Sequence, residues 1–153
     1  MADLVSLSIA LGLVVSLAFS ELLGLTAGGM VVPGYVALYL DRPLVIVLTL
    51  LISVLTYFIV HVLSTVMIIY GRRRTVLMIL VGFILGAFVR SIQALELPAA
   101  TVVDLSVIGY IIPGLIAIWI DRQGMIESLS ALLIASVIVR LALILITGGE
   151  IKV

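Results

Sequence analysis

Four apolar runs, each as long as a bilayer is thick, leave this chain few ways to fold. A helix needs about 20 apolar residues to span ~30 Å of hydrocarbon. Leu4–Leu23, Leu44–Tyr70, Thr75–Leu95 and Met125–Thr147 meet that length, with Glu21, His61, Arg90 and Arg140 as their strongly polar members. The balance of the chain agrees: 65% of its 153 residues are apolar and 10% charged, against ~25% charged in soluble domains. Its mean hydropathy is +1.51. The sequence therefore predicts an all-α polytopic membrane protein in which residues 1–153 form a single membrane domain. Asp3 sits where a secretory leader carries basic residues, so the first run reads as a retained helix.

Between the long runs lie two segments of another character, GGMVVPGYVALYLDRP at Gly28–Pro43 and IGYIIPGLIAIWIDRQG at Ile108–Gly124. Placing Gly29 on Gly109 aligns Pro33-Gly34 with Pro113-Gly114, Ala37 with Ala117 and Asp41-Arg42 with Asp121-Arg122, without a gap. The chain thus reads as two related halves, 1–71 and 72–153, each of helix, Pro-Gly broken segment and helix. The flanks align less well, Glu21 meeting Glu96 only at a different offset. Proline lacks a backbone N–H and disfavours helix at the residue before it, so Val32 and Ile112 are expected extended, with short helices following. A broken backbone in mid-membrane is tolerable only inside protein or beside a watery cavity, which makes both segments interior.

Two topologies follow. If the Pro-Gly segments cross, each half has three spans and the halves form an inverted repeat; if they re-enter, each has two and the halves are parallel. The Arg72-Arg73-Arg74 triplet belongs in the cytoplasm by the positive-inside rule. Crossing adds Arg122 to that side and leaves Arg42 and Lys152 outside; re-entry adds Lys152 and leaves both arginines outside. With no basic residue near Met1, crossing with an outer N-terminus is the favoured reading.

Each polar motif has a functional and a plainer reading. The half-helix starts at Pro33, Gly34 and Tyr35 and at Pro113 and Gly114 offer free N–H groups and a dipole to an anion, and two could converge on one carboxylate. The plainer role is to let helices kink and pack closely. A charged side chain at mid-membrane costs at least about 2.5–3.5 kcal/mol and so usually has a partner. Arg140, and His61 at nearly the matching place in the first half, are candidates to line a path for acidic cargo, as is Arg90. Alternatively the two arginines pair with Glu21, Glu96 or Asp104, and His61 bonds a carbonyl. Arg72, Arg73, Arg74 and Arg122 read as topological anchors or as partner contacts. Small residues at Ser8, Gly12, Ser16 and Ser20, and at Gly82 and Gly86, permit close helix approach, to one another or to a partner.

Other chemistries are poorly supported. Eight basic and eight acidic residues cancel, so no net field points to nucleic acid. There is no cysteine and a single histidine, so no metal site or cofactor is expected. Lys152 is the only lysine, so the phosphate-loop pattern is missing, and a Ser–His–Asp triad is improbable. The chain is not expected to be an enzyme by itself.

The strings GGMVVPGYVAL (Gly28–Leu38), YGRR (Tyr70–Arg73), IIPGLIA (Ile111–Ala117) and DRQG (Asp121–Gly124) together resemble the PgsC/CapC family, the small membrane component of bacterial poly-γ-glutamate capsule synthases. About a third of the residues carry these strings, while the length and layout of apolar segments fit throughout. The resemblance implies a multi-pass protein of the bacterial plasma membrane, an accessory subunit working beside a cytoplasmic ATP-dependent amide ligase and a membrane-anchored subunit with an outer domain. Its product is a poly-γ-glutamate chain that must leave the cell. The expected function is to hold the ligase at the membrane and line the polymer's path; a pure assembly scaffold and a secondary transporter of a small anion are the alternatives.

Overall fold

The computed structural model describes residues 2–67, 71–96 and 111–148, with the helical backbone alone at 2–4 and 92–96. Every regular element among these residues is helical: α1 (Ala2–Leu23), α2 (Val32–Leu38), α3 (Pro43–Val66), α4 (Arg72–Glu96), α5 (Ile112–Gln123) and α6 (Met125–Thr147). The four long helices α1, α3, α4 and α6 are apolar and long enough to cross a membrane. α2 and α5, with 7 and 12 residues, measure about 10 and 18 Å at 1.5 Å per residue, too short to span alone.

The two short helices begin one residue earlier than expected. Val32 and Ile112 are helical rather than extended, because the Tyr35 and Leu115 N–H groups donate to the carbonyls of Val31 and Ile111. Proline in the first turn forfeits no helical bond, since the first N–H groups have no intrahelical acceptor, and the closing bond outweighs the steric bias against the preceding residue.

Polarity is distributed inside-out. Val14, Leu17, Leu51, Phe58, Ile84 and Leu145 are exposed, while Ser8, Ser16, Thr49, Ser53, Thr56, Ser128 and Ser136 are buried. The hydroxyls of Thr49, Ser53 and Thr56 each donate over 2.7 Å to a carbonyl one turn back in α3. A water-soluble fold could not bear that arrangement. In lipid it is the favourable one, because the outward apolar surface has nothing to gain from burial and small inward residues let helices approach. The chain is a multi-pass membrane protein.

The chain forms two compact units, Met1–Pro43 with Trp119–Val153, and Leu44–Ile118. The first holds α1, α2, α6 and the end of α5; the second holds α3, α4 and the start of α5. In the first, α1, α2 and α6 pack pairwise. Ala27, Ala131 and Ala135 cluster with Val15 and Phe19, and Ala37, Val139 and Leu143 with Leu7 and Leu11. In the second, Val60 of α3 packs with Met78 of α4 and Ile118 of α5. Each unit therefore combines the first long helix and broken helix of one half of the chain with the last helix of the other half.

The same crossing organises both units. A Cβ on Gly12 would lie 2.7 Å from the N and Cα of Gly34, and one on Gly82 2.7 Å from the N of Gly114. The stripe Ser8, Gly12, Ser16 thus serves internal packing, and its structural counterpart in α4 is Met78, Gly82, Gly86. By that registration Glu21 falls on Ser91, not Glu96; the longer connection of the second half, 97–111, absorbs the offset. For the last helices, the buried positions Val45, Thr49, Ile52, Ser53, Thr56 and Val60 match Ser128, Leu132, Ala135, Ser136, Val139 and Leu143. This sets Tyr57, not His61, opposite Arg140, and His61 falls on exposed Ile144.

In the first unit the segment after α1 runs back along it. Ala27 packs near Phe19, Ser16 Oγ lies 3.5 Å from the Gly29 carbonyl, and the Ser8 hydroxyl donates to the Gly34 carbonyl at 2.7 Å. Leu7, Leu11 and Leu40 all pack against the cluster that holds Ala37. A Gly12→Ala substitution tests the crossing. Alanine favours helix over glycine by about 1 kcal/mol, whereas overpacking costs about 1–3 kcal/mol, and here the obstacle is backbone that has no rotamer to yield. We expect net destabilisation, read as a lower melting temperature in detergent, with Ala18→Leu on the exposed face of α1 leaving it unchanged.

Candidate functional site

Besides its buried hydroxyls, the first unit has two polar clusters, one towards either end. At one end is Arg140, on α6. Its Nη1 donates to the Ala37 carbonyl at 3.2 Å, and its Nη2 donates to Asp41 Oδ1 and Oδ2 at 2.7 and 2.6 Å. Ala37 lies in the last turn of α2, where carbonyls have no intrahelical donor, so the guanidinium satisfies one of them and complements the negative end of the dipole. Arg140 is 14% exposed and Asp41 56%. Among the described residues, the carboxylate that Arg140 meets is Asp41. Glu21 is exposed at the end of α1; the Glu96 side chain and Asp104 lie outside the described residues. In the sequence Asp41 stands out only as part of the repeated Asp-Arg pair, because nothing in linear spacing connects it to α6.

At the other end the close of α5 holds the glycine-rich turn that precedes α2. Gln123 Nε2 donates to the Thr26 hydroxyl and, at 3.3 Å, to its carbonyl, while Gln123 Oε1 accepts the Thr26 N–H at 3.1 Å. One side chain thereby reaches both backbone groups of a residue outside any helix, whose carbonyl also accepts the Gly28 N–H at 2.9 Å. Gly28 and Gly29 carry φ of 68 and 114°, which an L side chain adopts only with strain. A Cβ on Gly29 would also meet Trp119 Nε1 at 3.3 Å. Arg122 lies over the Trp119 ring, its Cζ 5.4 Å from the centroid. The matching place for Gln123 in the first half is Pro43, so repeat comparison does not mark this clamp.

The remaining sequence candidates occupy plainer settings. Pro33, Gly34, Pro113 and Gly114 are buried at the helix crossings, one pair in each unit, and Tyr35 is half-buried. The Gly34 and Gly114 amides abut the Gly12 and Gly82 backbones, so these N–H groups meet packed helix. His61 is exposed on α3 with its ring 5.6 Å from that of Tyr57, and Arg90 is exposed on α4. Arg72, Arg73 and Arg74 begin α4, where three cations oppose the dipole. They are poor helix-starting residues, which suits a role in orientation. A depression along α3 lined by Leu50, Leu51, Val54, Leu55 and Phe58 carries no charged group for a carboxylate to meet.

Residues 11–129 match the family profile of capsule biosynthesis CapC. The chain belongs to the capsule biosynthesis CapC family. It is 39% identical over 134 residues to the PGA biosynthesis protein CapC of Bacillus subtilis (strain 168), covering 85% of this chain and 87% of the relative. It is 37% identical over 123 residues to the capsule biosynthesis protein CapC of Bacillus anthracis, covering 78% and 79%. No solved structure gives a significant match. With its four long apolar helices, membership of the CapC family makes it a multi-pass protein of the plasma membrane. The CapC match takes in both glycine crossings, Asp41 and Gln123, and ends before Arg140.

Gln123→Ala should deprive the half-buried Thr26 N–H and hydroxyl of their Gln123 partner, while the Thr26 carbonyl keeps the Gly28 N–H at 2.9 Å; a hydrogen bond of this kind contributes about 1 kcal/mol. The expected readout is faster amide exchange across residues 24–31, with exchange in α3 unchanged.

Proposed function

We propose that this chain is the small membrane subunit of a poly-γ-glutamate synthase, holding an ATP-dependent amide ligase at the cytoplasmic face and lining part of the way out for the anionic polymer. The observation that carries the reading is its relation to CapC proteins over most of its length, two of them named for PGA or capsule biosynthesis. Its own residues suit an accessory role, since the activation of a carboxylate by ATP needs groups that this chain lacks in any recognisable motif. The partner with an outer domain would receive the polymer on the far side. Arg140 supplies the cationic group that a carboxylate-rich cargo needs.

The topology proposed with it has both Pro-Gly segments crossing, so that each half passes three times and the halves are inverted. What supports this is the return of residues 24–38 along α1, and the separation of Asp41-Arg42 from Arg122-Gln123 at opposite ends of the first unit. Arg122 and Arg72–Arg74 then share the cytoplasmic side. Because the chain has no cysteine, single cysteines at Arg42 and Arg122 can be labelled with an impermeant thiol reagent in intact cells. Crossing predicts labelling at 42 only; equal labelling of both sites means re-entry.

A scaffold without a conduit is the second reading, favoured by the packing of the Gly34 and Gly114 amides against helix backbone. Photo-crosslinkers at Tyr35 and Leu115 separate the two, since a conduit predicts adducts with nascent polymer and a scaffold predicts adducts with partner subunits alone. In cells that depend on this chain, Arg140→Gln is expected to cut polymer outside the cell severalfold while the protein still inserts. Wild-type export from that variant would remove the conduit and leave the scaffold.

A further inference from the structure

Resting on the synthase reading, we infer that Arg140 is a carboxylate-exchange site at which the Asp41 side chain acts as an internal stand-in for the free carboxylates of the polymer. The two partners are unequally buried. Arg140 is 14% exposed and Asp41 56%, so releasing Asp41 frees a carboxylate that the protein covers less than half, while Arg140 left alone keeps an uncompensated, mostly buried charge. Leaving one side of a desolvated pair unmatched is the costly event; replacing one carboxylate by another is not. The site therefore favours exchange over vacancy.

The geometry of the contact points the same way. Asp41 meets the guanidinium through Nη2 alone, both carboxylate oxygens sharing that nitrogen, while Nη1 is turned to the Ala37 carbonyl. The parallel two-nitrogen fork, the stronger mode of carboxylate pairing, is not used. Asp41 follows the end of α2 in the turn 39–42, whereas Arg140 sits mid-helix on α6 and is held by the packing of Val139 and Leu143. The arginine is the fixed member and the carboxylate the movable one. In the second unit the matching position is Tyr57, which is uncharged and gives that unit no copy of the site.

The test uses the full chain in nanodiscs of phosphatidylcholine and a fluorescent γ-linked glutamate decamer. If Asp41 occupies the site about nine-tenths of the time, Asp41→Asn should bind the decamer about tenfold more tightly than wild type, the penalty of a competent state populated about one-tenth of the time. Arg140→Gln should reduce binding to background. In the wild-type chain, added decamer should speed amide exchange in residues 37–42 as Asp41 is displaced, a readout that needs no variant to fold. Equal or weaker binding by Asp41→Asn, retained binding by Arg140→Gln, or unchanged exchange each overturns the proposal. A lipid phosphate carries the same kind of anion, so phosphatidylglycerol discs form a second arm: enhanced retention of that lipid by Asp41→Asn without tighter decamer binding would assign the site to lipid and sink the polymer assignment. The synthase reading fails separately, if cells lacking the chain still make and export polymer.

Discussion

A backbone interrupted within a bilayer has to find partners for its polar groups without help from water, and in this protein the meeting of two glycines makes that possible. At Gly12–Gly34 and again at Gly82–Gly114 helix backbones touch with no room for a Cβ. That closeness lets the Ser8 hydroxyl reach the Gly34 carbonyl and places Ala37 among Leu7, Leu11 and Val139. The small-residue stripes, the short helices and the burial of serine and threonine follow from one requirement: when both solvent and core are apolar, tight contact and internal hydrogen bonding have to supply what the hydrophobic effect supplies in water.

The long helices are readable from the sequence because a membrane imposes a length, and the repeat because proline and glycine at matched places are rare enough to stand out. The offsets between halves are harder. Loops of different length slide the flanking helices against the broken segments, so a single registration cannot serve all three. Only contact geometry sets Gly12 against Gly82, and only the phase of burial sets Arg140 against Tyr57 in place of His61. Val32 and Ile112 show a local rule yielding to a closing hydrogen bond. Asp41 and Gln123 escape a linear reading for a common reason, since their partners are far away in the chain and each belongs to a string whose repetition draws attention to its proline and glycine.

The two polar ends of the first unit differ in what they hold. Gln123 fixes backbone, with donors and an acceptor matched to one residue, and an amide pinned in this way has no reason to let go. Arg140 holds a side chain that the protein covers less than half and that is reached through one nitrogen. Near that end sits the half-buried Leu40, and at the opposite end the stack of Arg122 on Trp119. A fixed end and an end open to exchange are what the proposed accessory role asks of this unit.

The exchange of last helices between the halves bears on how the molecule is made. α1 and α2 leave the ribosome before α3, α4 and α5, but the helix they pack against, α6, follows all of these. The second unit draws on α3, α4 and the start of α5, so all its parts are made before α6. During that interval the small-residue face of α1 and the open turn of α2 must wait beside lipid or insertion machinery. A chain cut short before α6 would leave α1 and α2 without their packing partner, which ties the survival of those two helices to faithful translation of a segment more than eighty residues further on.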